Sequence, residues 1–189
     1  MISNKKQLKE WIAYERERYG CSSELKEFVK YVLGGERATI WQIQKCLRYT
    51  EYYYNSGKKI RYGFSLFRLN HLRNKYGIHI GINVCDKGLK IMHLGPILTN
   101  GNVKIGKDCA LHINTSFVAQ GVSSAAPQLG DGVVAGVGSV VLGGVYIANN
   151  VAIGANALVN KSVEEENIAI AGVPAKKVSN NGRLEWNKK

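Results

Sequence analysis

The stretch that decides the fold is residues 129–159, which read LGDGVVAGVGSVVLGGVYIANNVAIGANALV. An apolar residue returns at every sixth position, and the same phase extends back to Ile105. The series consists of Ile105, Leu111, Phe117, Leu129, Ala135, Val141, Ile147, Ile153 and Val159, and only Ser123 breaks it. A period of six fits neither an α-helix nor a flat strand. It is typical of a chain that coils around a triangular prism, so the sequence predicts a parallel β-helix of hexapeptide repeats.

The positive charge is concentrated in the first part of the chain. The 189 residues carry a formal net charge of +12, and residues 1–76 hold 16 Lys and Arg against 7 Asp and Glu. Such a region can face nucleic acid, an acidic glycan or an anionic membrane surface, or it can be a solvated helical face. No nucleic-acid motif accompanies it. We therefore expect no nucleic-acid partner and retain peripheral contact with an anionic membrane.

Glycine marks a boundary near residue 77, with 5 glycines before it and 16 after it. The sequence of the first part predicts four helices. The first two are capped at Ser3 and Ser23, and the other two run from about Thr39 to Tyr54 and from about Ile60 to Tyr76. We expect an α-helical region at 1–76, a β-helix domain at 77–165 and a C-terminal capping tail at 166–189. The fold class is mainly β. The Tyr49–Tyr54 segment beside basic residues can bind single strands or sugars, but helix packing is the favoured interpretation.

The chain has the sequence features of a cytoplasmic protein. It opens on a highly charged segment without the apolar core of a signal peptide. The long uncharged stretch after Gly132 contains Gly, Ser and Asn in hexapeptide phase, which argues against a membrane span. The cysteines lack CxxC spacing, so we expect reduced structural thiols; they are Cys21, Cys46, Cys85 and Cys109.

Several motifs resemble one family of enzymes. Residues 153–157 (IGANA) followed by 171–177 (AGVPAKK) resemble the end of a left-handed β-helix acetyltransferase. Residues 88–93 (GLKIMH) and 130–133 (GDGV) resemble the serine acetyltransferase branch, and 47–52 (LRYTEY) resembles its capsule and lipopolysaccharide relatives. The resemblance implies a left-handed helix, a homotrimer with active sites between subunits, and acetyl-CoA bound along the coils as co-substrate. It implies no metal.

Acetyl transfer to a hydroxyl requires a base, and imidazole suits that role near neutral pH. His93 occupies the position of the family's catalytic histidine, which makes it our candidate base. The family often orients this histidine with an upstream aspartate, and His79 stands near that place here. Asp86 is the nearest upstream acid, but its spacing does not match. His79 is therefore a candidate orienting partner, with a backbone carbonyl as the alternative.

The resemblance also maps the CoA site onto small residues of successive coils. Val137 and Ala155 are one coil apart, and Gly136 and Gly154 precede them, which would let pantetheine approach the backbone. Simple corner geometry explains these glycines equally well. Lys161 and Lys176 can meet the nucleotide phosphates, or they can be ordinary exposed lysines.

The acceptor is predicted from departures from the family pattern. Serine enzymes place an aspartate before the catalytic histidine and an Arg-His pair before a later proline, where this chain has Met92 and Ala125-Ala126. Without these groups a zwitterionic amino acid loses charge-assisted hydrogen bonds of roughly 1.5–3 kcal/mol each. We therefore expect a sugar hydroxyl of a surface polysaccharide, in a glycan or a lipid-linked sugar.

Three alternatives remain open. The first is a serine O-acetyltransferase of cysteine biosynthesis. The second is a non-catalytic trimeric scaffold that binds glycans. The third, a zinc lyase on the same fold, would require three histidines around one metal, for which His93 and His112 have no suitable spacing. An acyl-enzyme on Cys85 or Cys109 is disfavoured because neither has an adjacent base.

Overall fold

Four α-helices form the first part of the chain. The computed structural model describes residues 1–121 and 123–183. The helices are α1 (Lys5–Arg18), α2 (Glu24–Val32), α3 (Glu36–Asn55) and α4 (Lys59–Tyr76). Helix α1 is capped by Asn4, whose Oδ1 accepts from the Gln7 amide at 3.0 Å, one residue after the predicted Ser3. Helix α4 ends at Gly77 with φ of +72°, a left-handed conformation that favours glycine.

Short parallel strands then wind into three sheets. They are β1 (Ile78–His79), β2 (Lys90–Ile91), β3 (Ile97–Thr99), β4 (Lys104–Ile105), β5 (Ala110–Leu111), β6 (Thr115–Val118), β7 (Gln128–Leu129), β8 (Val134–Ala135), β9 (Val140–Leu142), β10 (Tyr146–Ile147), β11 (Ala152–Ile153), β12 (Leu158–Val159), β13 (Ala169–Gly172) and β14 (Ala175–Ser179). The sheet orders are β1-β3-β6-β9-β12, β10-β7-β4 and β14-β13-β11-β8-β5-β2. This is the predicted left-handed parallel β-helix with a helical N-terminal region.

The hexapeptide series forms the core of the coils. Ile153 lies opposite Ala135, and Val159 lies opposite Val141, so successive coils are eighteen residues apart. All nine apolar members of the series are buried, and most are fully inaccessible. Corners are supplied by asparagines with positive φ, such as Asn150 and Asn156 at 56° and 55°, where the short polar side chain tolerates the left-handed region.

The one residue out of phase, Ser123, lies where the chain leaves the prism. Phe117 pairs with Val141 and Leu129 pairs with Ile105, each twenty-four residues apart. Between β6 and β7 the described residues 119–121 and 123–127 form no strand, and Ser123 is exposed. The coil therefore carries six extra residues in a loop. Because six residues make one side of the prism, the inward-facing phase is restored at Leu129.

Both ends of the stack are covered. Strand β13 pairs in parallel with β11 and in antiparallel with β14, so the parallel sheet continues beyond residue 165 and ends in a hairpin. At the other end, side chains from α3 and from Tyr19, the C-cap of α1, form hydrogen bonds with the backbone of the first coil. Gln44 Nε2 donates to the Leu89 carbonyl at 3.0 Å, and the Ile91 amide donates to the Tyr19 hydroxyl at 2.7 Å. Backbone groups at the β2 edge of the sheet, which would otherwise be unpaired, are thus hydrogen-bonded to helical side chains.

A buried ion cluster extends this cover. Arg48, fully buried, donates from Nη2 to Glu15 at 2.7 Å and from Nη1 to Glu51 at 2.8 Å. Its Nη atoms also donate to the carbonyls of Cys85 and Asp86 at 2.8 and 2.7 Å. The same two carboxylates accept from the first coil: Glu15 from the Gly88 amide and Glu51 from the Asn83 amide. The Arg48 cluster therefore joins two helices to the coil that precedes the candidate histidine.

Helix α3 is mostly buried between its neighbours, whereas α2 and α4 each turn one apolar face outward. In the Tyr49–Tyr54 segment, Tyr52 is buried and stacks near Tyr53, with ring centroids 5.3 Å apart. Tyr49 and Tyr54 remain exposed. Across the described ranges, no helix is long and apolar enough to cross a bilayer.

Candidate active site

His93 lies two residues after β2, where the first coil turns a corner. Its side chain is 58% exposed, and its Nδ1 lies 3.4 Å from Oε1 of Glu36. The same carboxylate oxygen accepts from the Leu94 amide at 2.9 Å. Glu36 is the first residue of α3, so the helix N-terminus fixes the position of its carboxylate against the loop. Glu36 thereby belongs to the row of helical side chains that bond the first coil.

This geometry selects one tautomer of the imidazole. A carboxylate beside Nδ1 favours a proton on that nitrogen, which leaves Nε2 as the acceptor. Glu36 thus lies where an orienting partner of His93 would be expected, and Nε2 is the nitrogen that faces away from this contact.

The next coil brings a second imidazole to the same place. The Met92 amide donates to the Leu111 carbonyl at 3.0 Å, so His112 stacks beside Met92. The rings of His93 and His112 are 6.3 Å apart between centroids. Burial, and to a smaller degree the neighbouring His93, lowers the pKa of His112. The lowered pKa favours the neutral form of the His112 imidazole at physiological pH.

A basic cavity adjoins His112. Its volume is about 520 Å³, and Met92 and His112 form part of its wall. Its cations are Arg18, Lys90 and Arg183. Arg18 reaches the Asp108 carboxylate at 3.2 Å, whereas burial and the nearby Arg18 lower the pKa of Arg183. The described residues that line the cavity include these three cations and no acidic side chain, so an anionic ligand would be stabilised there.

His79, which the sequence suggested as an orienting partner of His93, lies on a different sheet from the strand that precedes His93. His79 is exposed in β1, and β1 and β2 belong to different sheets. Asp86 accepts from the neighbouring Lys87 amide at 2.7 Å. Within this chain the group against His93 Nδ1 is Glu36. The sequence does not identify Glu36 as this partner, because Glu36 lies 57 positions upstream, in the helical region, with no motif around it.

The proposed CoA residues lie on successive coils, as their spacing required. The Asn156 amide donates to the Val137 carbonyl at 2.8 Å, which stacks the corner at Ala155 on the corner at Val137. Val137 and Ala155 are both exposed. A Cβ at Gly136 would lie 2.6 Å from the Ile153 carbonyl oxygen, and one at Gly154 would lie 2.9 Å from the Ala171 Cβ. Close packing of coils therefore requires both glycines, whether or not they also approach a ligand.

The two candidate phosphate-binding lysines are exposed. Lys161 follows β12, and Lys176 lies in β14. Both are on the C-terminal coils, as are Gly154 and Ala155.

The cysteines do not provide a nucleophile. All four are free thiols. Burial raises the pKa of Cys85, and it raises the pKa of Cys109 to about 12, so both thiols stay protonated at neutral pH. In residues 1–121 and 123–183, no three His, Cys, Asp or Glu side chains are arranged to hold a metal ion.

Comparison with known proteins gives a structural match without a sequence match. No family model and no curated protein matches the sequence. A serine acetyltransferase from Neisseria gonorrhoeae superposes with a TM-score of 0.67 at 21% identity, over 93% of this chain and 68% of that one. The fold is that of the serine acetyltransferases. The Brucella abortus serine acetyltransferase in complex with coenzyme A gives 0.65 at 22% identity, with the same coverage of 93% and 68%.

The match to the serine acetyltransferase fold is partial in length. A serine acetyltransferase in complex with cysteine gives a TM-score of 0.61 at 23% identity, over 75% of this chain. The aligned part spans 58% of that protein and 57% of the one in complex with CoA. The aligned part is thus less than two thirds of the length of those two proteins.

Proposed function

We propose that this protein is an acetyl-CoA-dependent O-acetyltransferase that modifies a sugar hydroxyl during surface-polysaccharide biosynthesis. The observation that carries the proposal is the pairing of His93 with Glu36 at 3.4 Å on the first coil of an acetyltransferase fold. The imidazole of His112, whose ring centroid lies 6.3 Å from that of His93, forms part of the wall of a cavity of about 520 Å³.

The chemistry follows from the tautomer. Nε2 of His93 takes the proton from the acceptor hydroxyl as the oxygen attacks the thioester carbonyl. The resulting imidazolium is stabilised by Glu36, and it returns the proton to the departing CoA sulfur as the tetrahedral intermediate collapses. The acetyl group ends on oxygen, CoA leaves as the thiol, and His93 is again neutral. Glu36 acts through His93 and is a positioning residue.

The CoA-binding face is proposed along the exposed corners at Val137 and Ala155. Small residues there leave room for an extended pantetheine arm, and the glycines beside them keep the backbone accessible. Lys161 and Lys176 would meet the phosphates at the C-terminal end. A homotrimer, which the family resemblance implies, would place a second subunit against these coils and complete the groove.

The cavity favours an anionic sugar acceptor. Arg18, Lys90 and Arg183 outnumber the acidic groups that face it, and Met92 stands where a serine-binding aspartate would be expected. A glycan with a carboxylate, or a sugar linked to lipid through phosphate, satisfies these cations. The alternative acceptor is free serine, which is supported by the fold of the structural neighbours.

Thiol release from acetyl-CoA, measured with serine, nucleotide sugars and acidic polysaccharides as acceptors, tests the proposal. We expect turnover with a sugar acceptor and loss of about 10²–10⁴-fold in kcat for His93→Ala. His79→Ala is the matched control, because His79 is an exposed histidine on another sheet, and it should retain activity. Turnover with serine alone would assign the alternative acceptor. Unchanged turnover in His93→Ala would refute the mechanism.

A further inference from the structure

Helix α4 carries an apolar stripe that the fold leaves uncovered. Ile60, Phe64 and Phe67 are 79%, 76% and 78% exposed. They are spaced i, i+4 and i+7, so they share one face of the helix. Leu69, on the opposite face, is 1% exposed and packs in the core. Two phenylalanines this exposed on one helix face make a patch that marks an interaction site.

The stripe is bordered by positive charge. Helix α4 reads KIRYGFSLFRLNHLRNKY, with five basic residues and no acidic one. Arg61, Arg68 and Lys75 are exposed and recur every seven residues, which places them in a row along one edge of the stripe. The surface is therefore an apolar band with a basic margin, the arrangement of helices that lie in a membrane interface.

A groove opens beside the stripe. It lies between α3 and α4 and has a volume of about 490 Å³. Phe64, Tyr49 and Tyr53 form its apolar wall, and Arg61 and Arg68 stand at the same groove. An acyl chain next to an anionic headgroup would satisfy both kinds of lining residue.

We propose that α4 docks this protein onto an anionic phospholipid surface, with Ile60, Phe64 and Phe67 inserted and Arg61 and Arg68 against the headgroups. Charge complementarity selects this occupant. Helix α4 carries five cations and no acidic residue, and residues 1–76 as a whole carry a strong excess of positive charge, which an anionic headgroup layer complements. The inference goes beyond the proposed acetyl transfer and does not depend on it.

Vesicle sedimentation of the full chain, without acetyl-CoA, tests the docking surface. We expect binding to phosphatidylcholine vesicles that contain phosphatidylglycerol, weaker binding at high salt, and little binding to phosphatidylcholine alone. Arg61→Gln/Arg68→Gln should weaken partitioning about 30-fold, since each basic residue near an anionic surface contributes about 1 kcal/mol. Phe64→Ser/Phe67→Ser should weaken it by about tenfold or more.

Two control variants match these changes elsewhere on the helical region. Lys6→Gln/Lys9→Gln removes the same charge from exposed positions of α1. Leu25→Ser/Leu33→Ser removes two exposed apolar side chains, 73% and 79% accessible, from α2 and its C-cap. Both controls should bind vesicles as the parent chain does.

The proposal is overturned by equal binding to neutral vesicles, by no binding, or by equal losses in the control variants. It is also overturned if Phe64→Ser/Phe67→Ser changes the oligomeric state in lipid-free sedimentation equilibrium, because the stripe is then an interface between copies. Binding of a soluble acidic polysaccharide in place of vesicles, with the phenylalanine variant unaffected, would likewise reject it.

Discussion

Replacing Arg48 with methionine tests the cluster that joins the helices to the first coil. Methionine preserves much of the side-chain length but removes the cation that pairs with Glu15 and Glu51, both of which are buried. Burial alone would lower the pKa of Arg48, but the Glu51 and Glu15 carboxylates raise it. The guanidinium is thus charged in the native state, and its loss leaves two carboxylates in the interior. Breaking a buried ion pair in this way costs about 3–5 kcal/mol.

The pH dependence of the deficit carries a definite sign. Burial raises the pKa of Glu51, an effect that Arg48 partly offsets. In Arg48→Met the offset is lost, so the folded state takes up a proton at Glu51 more readily than the unfolded state does. Folding is then favoured as pH falls through the raised pKa. The deficit should therefore be largest near pH 7.5 and should shrink toward about pH 5.

Equilibrium urea denaturation, followed by the helical circular dichroism signal at fixed protein concentration, measures the effect. The triple variant Arg48→Met/Glu15→Gln/Glu51→Gln is the control, since neutral amides in the same places should recover part of the loss. A deficit below about 1 kcal/mol, the range of an exposed ion pair, or a deficit that does not change with pH, would refute the account of this cluster.

Three further predictions concern the site and the coils. Glu36→Gln should lower kcat by about tenfold with little change in KM, because it weakens the orientation of His93 but not substrate binding. Steady-state kinetics measure both constants. Glu36→Asp should recover part of the rate if a carboxylate is needed. Cys109→Ala should leave turnover within about twofold, since its raised pKa keeps the thiol protonated, and mass spectrometry after incubation with acetyl-CoA should find no acetylated thiol. Gly88→Ala should destabilise the fold by roughly 1–3 kcal/mol, because Gly88 has φ of +86° and a Cβ would collide with the Asp108 carboxylate. Gly63→Ala, in open space within α4, should stabilise the fold by up to about 1 kcal/mol. Thermal melting of the two variants measures the difference, and similar shifts of the melting temperature in both would contradict this explanation.

The hexapeptide pattern predicted the coils because it records which side chains point inward. That information is local and periodic, so it survives in a single sequence. Even the exception at Ser123 was informative, since the out-of-phase segment is the one that leaves the prism.

The partners of the first coil could not be predicted in the same way. Glu36, Arg48 and Glu51 read as ordinary charges on helices, because their roles depend on backbone groups far along the chain. Glu36 meets His93 across 57 positions, and no spacing rule connects a helix N-terminus to one corner of a coil. The candidate His79 came from the resemblance to the family, which does not indicate an orienting group supplied by another element.

The bonded cover over the first coil has a consequence for biosynthesis. The helices precede the strands in the chain, so during translation they are made before the edge that they bond. Each new coil then pairs with a coil whose outer backbone groups are already hydrogen-bonded, and the β-helix can form in one direction until it ends at the β13–β14 hairpin. If the helices fold slowly or stay unfolded, the first coil exposes an unpaired edge of parallel strands. Nascent chains on the same mRNA can then pair through these edges, which competes with correct folding of the β-helix.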